Sequence, residues 1–88
     1  MNFKVTYYDY DTNSTITKNC IKITYNTNDN NFSFIPVDEP PKIYKAVVID
    51  HPTVNINQSE NNIRIHVEGY QYVKNNGYWK TKTVIESV

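Results

Sequence analysis

Leucine is absent from the 88 residues, and alanine occurs once, at Ala46. A chain without its two commonest helix formers is not a helical bundle. Gly69 and Gly77 are the only glycines, which excludes a glycine-rich phosphate loop. Cys20 stands alone, so no intramolecular disulfide can staple the fold, and a small apolar filler at the start of a strand is the expected role of its side chain. Nowhere do 18 apolar residues follow one another, and the opening MNFKVTYYDY lacks a basic segment leading into an apolar one. The expectation is a soluble, cytoplasmic protein without membrane contact. Nine basic residues balance nine acidic ones, and the pI is near 6.7. That balance excludes a generic electrostatic clamp on DNA and makes any cationic surface local.

Metal chemistry is equally thin. Two histidines and one cysteine are too few ligands for zinc. Asp9, Asp11 and Asn13 open like a calcium loop, but Ser14 replaces the glycine and Cys20 the bidentate glutamate, so an acidic turn is expected. No metal and no cofactor is expected.

What is present is strand chemistry. Ile (10), Val (9), Thr (9), Tyr (8), Phe (3) and Trp (1) are types suited to a pleated, half-buried surface. Thirteen asparagines, a composition suited to AT-rich bacterial or phage coding, can take the left-handed turn positions for which glycine is scarce. Period-two alternation predicts strands over Phe3 to Tyr8, Cys20 to Thr27, Phe32 to Val37, Ile43 to Asp50, Val54 to Gln58, Asn62 to Lys74 and Tyr78 to Ser87. The proline-rich stretch Pro36 to Pro41 reads as a crossing between sheets. The expected fold is a single all-β domain over residues 1–88. About seven mostly antiparallel strands form a small sandwich or partly open barrel, with a three-stranded C-terminal meander.

Pairing arithmetic supplies registers. A turn at Asp29-Asn30 sets Tyr25 opposite Phe34, and one at Glu60-Asn61 sets Ile56 opposite Ile65 and Val54 opposite Val67. A three-residue Asn75-Asn76-Gly77 loop, with Gly77 left-handed, sets Val73 opposite Trp79 and Val67 opposite Ile85. The predicted core is Ile21, Ile23, Tyr25, Phe34, Ile56, Ile65, Val67, Val73, Trp79 and Ile85, with Gly69 inside making room for a bulky neighbour or a bend.

The outer face of the meander carries the candidate site: Arg64, His66, Tyr70, Tyr72, Lys74, Tyr78, Lys80 and Lys82. Residues 61–85 hold four cations, Arg64, Lys74, Lys80 and Lys82, against Glu68, a local balance of +3, while residues 1–60 hold five lysines against seven carboxylates, a balance of −2. Flat aromatic rings among cations suit another protein, or else a nucleotide or single-stranded nucleic acid. The same mixture also suits an ordinary solvent face. His66 lies between Arg64 and Glu68, but no nucleophile stands at a recognisable spacing, so catalysis is not expected. The sequence reads as a non-catalytic protein-interaction module, an inhibitor or adaptor, binding through this face or through a strand edge such as Phe3 to Tyr8. A homo-oligomer is compatible with that reading.

Overall fold

A computed structural model describes residues 2–38 and 42–88. Its strands are β1 (Phe3–Asp9), β2 (Ser14–Asn26), β3 (Asn31–Asp38), β4 (Lys42–Ile43), β5 (Val47–Gln58), β6 (Ile63–Val73) and β7 (Gly77–Ser87). All belong to one antiparallel sheet in the order β2-β1-β7-β6-β5-β3-β4, and β2 pairs with β3 as well. That extra ladder closes a barrel of six strands, each hydrogen-bonded to its neighbours in the chain, with β4 outside against the end of β3. The all-β expectation therefore takes the form of a closed barrel, and β5, β6 and β7 are the expected meander. The first and last strands pair from Phe3↔Ser87 to Tyr7↔Thr83. Just beyond, the Val88 amide donates to the Asn2 carbonyl at 3.0 Å.

Asparagine and aspartate make the turns. Asp9 accepts from the Asp11 amide (3.0 Å) and the Thr12 hydroxyl (3.1 Å), folding the expected acidic turn between β1 and β2. The Asn26 side chain accepts from the amides of Asn28 and Asp29, both at 3.0 Å. Asn13, Asn30 and Asn75 take φ of 55°, 52° and 69°. The Glu60-Asn61 turn and its register, Ile56↔Ile65 and Val54↔Val67, are as expected. Two registers differ by two residues. Asn26 starts its turn early, so Tyr25 faces Phe32 and not Phe34. In the last hairpin the loop is Lys74 to Asn76, so Val73 faces Gly77 and Trp79 faces Gln71, although Gly77 does have positive φ (78°). A slip of two preserves the faces, which is why the outer face survives both corrections.

Two one-residue bulges explain the other differences. Between Ile21↔Ile35 and Thr24↔Ser33, β2 has one residue more than β3, with Lys22 at φ 58°. Cys20 therefore points inward before the bulge and Ile23 after it, while Ile21, expected in the core, is 46% exposed. Between Asp50 and Thr53, β5 has one residue more than β6, with His51 at φ 50°. Alternation changes phase there, so one bent strand reads as two in the sequence. Gly69 faces this bend from β6. A Cβ on it would lie 2.5 Å from the Ile49 Cγ2 and 2.7 Å from the Asp50 carbonyl oxygen, so the bulky neighbour and the bend expected beside Gly69 are both there. Pro36 is no crossing: it lies within β3 opposite Cys20. Its carbonyl accepts from the Tyr44 amide, away from β2, so the donor it lacks is missing on that side and not from the β2 ladder. Val37 and Asp38 of the supposed crossing also lie in β3, and its remainder, residues 39–41, lies outside the described residues.

The core is Val5, Tyr7, Cys20, Phe32, Phe34, Ile49, Val67 and Ile85, at least one side chain from every barrel strand. Tyr7 and Phe34 meet edge to face, centroids 5.2 Å apart. Of the predicted core, Phe34, Val67 and Ile85 are buried, and Ile23 and Ile65 pack against them. Val73 is half-buried at the hairpin end. Ile56 (63% exposed) and Trp79 (52% exposed) lie outside, because their hairpins extend beyond the closed part of the barrel, and Tyr25 is half exposed beside the buried Phe32 ring, centroids 6.2 Å apart. Thr83, 1% exposed, and Thr81 are buried with hydroxyls that have no hydrogen-bond partner among the described residues.

Ile85→Ala should cost about 2–5 kcal/mol and Trp79→Ala about 1 kcal/mol or less in urea unfolding, since only the first opens a cavity. Equal losses would show that Trp79 is a core residue after all. Thr83→Val, which keeps the shape and removes an unpaired hydroxyl, should raise stability by about 1 kcal/mol; a loss would mean the hydroxyl is satisfied in solution.

Candidate interaction surface

In β6 and β7 the even-numbered residues point outward, and their ladder places Arg64 opposite Glu86, His66 opposite Val84, Glu68 opposite Lys82, Tyr70 opposite Lys80 and Tyr72 opposite Tyr78. Seven of the eight expected site residues share this wall. Lys74 stands in the loop at its tip, not opposite Tyr78. Tyr72 and Tyr78 meet at 5.3 Å and 64°, each 63% exposed, and Tyr70 is 42% exposed.

Much of the positive charge is answered locally. The Arg64 Nη2 lies 2.9 Å from the Glu86 carboxylate and the Lys82 Nζ 3.5 Å from that of Glu68. Glu86 falls one residue outside the segment whose sequence balance is +3, and the cross-strand register brings it back. Lys74 and Lys80 are in no ion pair among the described residues. Glu68 is turned toward Lys82, so the carboxylate that might have oriented His66 is engaged elsewhere.

Sequence reasoning missed a second group of aromatic residues. The β1–β7 ladder stops at Tyr7↔Thr83 while both strands continue, and the gap between them is a groove of about 540 Å³. Tyr8, Tyr10 and Trp79 line it together with Lys80 and Lys82. Tyr8 and Tyr10 meet at 4.7 Å, and Tyr10 and Trp79 at 6.3 Å. The Tyr10 hydroxyl donates to the Lys80 carbonyl and the Trp79 Nε1 to the Asn76 carbonyl, each at 3.0 Å, which fixes both rings. Burial and the nearby Tyr8 push the Tyr10 phenol above its ordinary pKa. The spacing of two between Tyr8, in β1, and Tyr10, just beyond it, was the available signal for these two rings, though not for their meeting Trp79. β1 itself is paired on both sides, so the edge expected over Phe3 to Tyr8 is absent.

A polar latch lies opposite this wall. Lys18 of β2 reaches Asp38 of β3 at 3.3 Å and stands over the Tyr44 ring, 3.9 Å from its centroid, and the Tyr44 hydroxyl donates to Asp38. The hydrogen bond from Tyr44, then the hydrogen bond and charge of Lys18, hold the Asp38 carboxyl below its usual range despite some burial. For Lys18 burial acts downward, but hydrogen bonding and charge from Asp38 and Tyr44 outweigh it and leave the ammonium raised. Inside the barrel, burial pushes the Cys20 thiol up to about 11, so it is a protonated apolar filler at neutral pH. No group of three or more histidine, cysteine or acidic side chains that could hold a metal occurs among the described residues. Nor is any described helix long and apolar enough to cross a membrane.

No protein-family model matches the chain, and neither the curated proteins nor the solved structures contain a match to it. The surface has to be interpreted from its own chemistry.

The latch has a pH signature. Because the Asp38 carboxyl is depressed in the folded state, its contribution is present above the ordinary carboxylate range and is lost as pH falls through the folded value. Asp38→Asn should therefore lower the melting temperature at neutral pH, and the difference from the parent should close on acidification to about pH 2. A difference that stays constant with pH would show that the substitution acts through packing and not through the ion pair.

Proposed function

We propose that the protein is a small interaction module without chemistry of its own, an inhibitor or adaptor that engages another protein through the wall formed by β6, β7 and the end of β1. One observation carries this reading: exposed Tyr70, Tyr72 and Tyr78 stand on a wall where Glu68 and Glu86 answer two of its cations, with exposed Trp79 in the groove beside it. Rigid aromatic rings contribute contact area at little entropic cost and anchor protein interfaces, whereas phosphate recognition depends on cations left free to replace counterions. Here the aromatic area is large and the unpaired charge small, which favours a protein over a single-stranded nucleic acid or a nucleotide. Cytoplasmic action belongs to the same proposal, and the single buried thiol suits a reducing compartment.

Affinity capture from the native host, with nuclease present and across rising salt, tests it. The parent should retain a protein partner through nuclease treatment with a shallow response to salt. Tyr72→Ala combined with Tyr78→Ala should melt within about 2 °C of the parent and lose that partner. Capture unaffected by the double substitution would move the site elsewhere. Capture abolished by nuclease, or weakened several-hundredfold between low and moderate salt, would establish the nucleic-acid reading instead.

A further inference from the structure

The β1–β7 ladder leaves an unfinished backbone edge inside the closed barrel. In an antiparallel strand the backbone groups of alternate residues point to the same side. Two bonds show which residues of β7 and its extension face β1: the Val88 amide donates to the Asn2 carbonyl, and the Lys80 carbonyl accepts from the Tyr10 hydroxyl, each at 3.0 Å. Even-numbered residues therefore aim N–H and C=O at this seam, while Trp79, Thr81 and Thr83 aim theirs at Gln71, Gly69 and Val67 of β6. Past Tyr7↔Thr83 no strand pairs with β7 on the seam side among the described residues. The Lys80 and Lys82 amides are thus donors without a strand to receive them. A side chain, that of Tyr10, meets the Lys80 carbonyl where a ladder would supply an amide.

Unpaired backbone along an edge is a template for another strand. The surroundings of this edge specify which strand. The groove beside it, of about 540 Å³, is lined by Lys80 and Lys82 and by no carboxylate. Lys80 is in no ion pair among the described residues, and Lys82 has only an exposed pairing with Glu68, of a kind that contributes little and exchanges readily. Thr81 also lines the groove; it is 4% exposed, and its hydroxyl has no hydrogen-bond partner among the described residues. A strand laid antiparallel along β7 places the residues opposite Lys80 and Lys82 on the outer face and the residue between them opposite Thr81. Two carboxylates flanking a threonine fit those three positions, because opposite charges and threonine pairs both stabilise cross-strand neighbours. A nucleic acid strand, which lacks peptide amides, could answer the lysines but not the backbone edge.

We propose that the partner enters as an extended acidic segment that adds a strand to β7 at Lys80 to Lys82 and displaces the Tyr10 hydroxyl. The inference rests on the reading of this wall as a protein-binding surface and adds the chemistry of the contact. Main-chain hydrogen bonds hold the segment, and Lys80 and Lys82 select its charge.

Hydrogen exchange of the free protein is the first test. The Trp79 and Thr81 amides, held by β6, should be protected, and those of Lys80 and Lys82 should exchange like an open chain. Titration with the acetylated, amidated peptide Val-Glu-Thr-Glu-Val should then shift the Lys80 and Lys82 amide signals saturably and slow their exchange about tenfold or more. Its lysine counterpart Val-Lys-Thr-Lys-Val should bind about tenfold more weakly. The acidic peptide methylated on both glutamate nitrogens, which keeps the charge and loses the donors, should not bind. Lys80→Glu should invert the preference between the acidic and basic peptides, and Tyr10→Phe, which clears the Lys80 carbonyl, should tighten the acidic one about threefold. The proposal is overturned if the Lys80 and Lys82 amides are already protected in the free monomer, or if the methylated or basic peptide binds as well as the acidic one. Protection that appears on raising the protein concentration alone also overturns it, since a second copy then occupies the edge. If the peptide fails while a nuclease-resistant partner still requires Tyr72 and Tyr78, strand addition falls and the interaction reading stands; capture that depends on nucleic acid removes both.

Discussion

Everything in this fold depends on the ladder that joins its first strand to its last. Five residues of β1, Phe3 to Tyr7, pair with Ser87 to Thr83 of β7, and that ladder turns a string of hairpins into a ring. A six-stranded ring is narrow, and its interior is filled by a single small cluster, from Val5 and Tyr7 of β1 to Ile85 of β7. Four tight hairpins bring most of the other strands together locally, but this closure joins the first strand to the last and comes with the largest loss of chain entropy. Val5 and Ile85 stand directly opposite each other in that ladder and are both fully buried, so the closing contact is also a core contact.

The ladder is also incomplete, and its incompleteness shapes the surface. Were β1 and β7 paired to their ends, Tyr8 would be a ladder residue on a smooth wall. Because pairing stops at Tyr7↔Thr83, the strands diverge and their side chains line clefts on both sides of β1. One strand end thus separates the groove that carries Lys80 and Lys82 from a cleft of about 320 Å³ lined by Asp9, Asp11, Asp50 and Lys45. That division arises from topology, since the chain as a whole carries no net charge.

How far the sequence could be read depended on whether strict alternation held. In β6 and β7 it holds from end to end, so the site residues from Arg64 to Lys82, Lys74 in the loop excepted, were assigned to the correct face even though the hairpin register was two residues out. In β2 and β5 it is interrupted once in each strand. An added residue leaves no mark in the count of residue types: Lys22 is not a type that favours positive φ, and His51, which does, reads as a turn between two strands as readily as a bulge within one. Ile21 was consequently placed inside and Val47 to Gln58 divided in two. Trp79 failed for a different reason: alternation puts it on the inward side, but at that height the barrel has already opened. Alternation specifies direction and not depth, so the Tyr8, Tyr10 and Trp79 group was out of reach until the strands were placed.

The hydrogen bond between Val88 and Asn2 has a consequence for how this chain could be rewritten. It extends the seam at which β1 and β7 close a continuous circuit of six strands, in which every other neighbour in space is the next barrel strand in sequence. A circuit of this kind has no physical starting point. A short linker from the end of β7 to the start of β1, with a cut at the exposed Glu60-Asn61 turn, would leave every ladder of the ring in place, so the order in which its strands are read is one of several that the architecture accommodates.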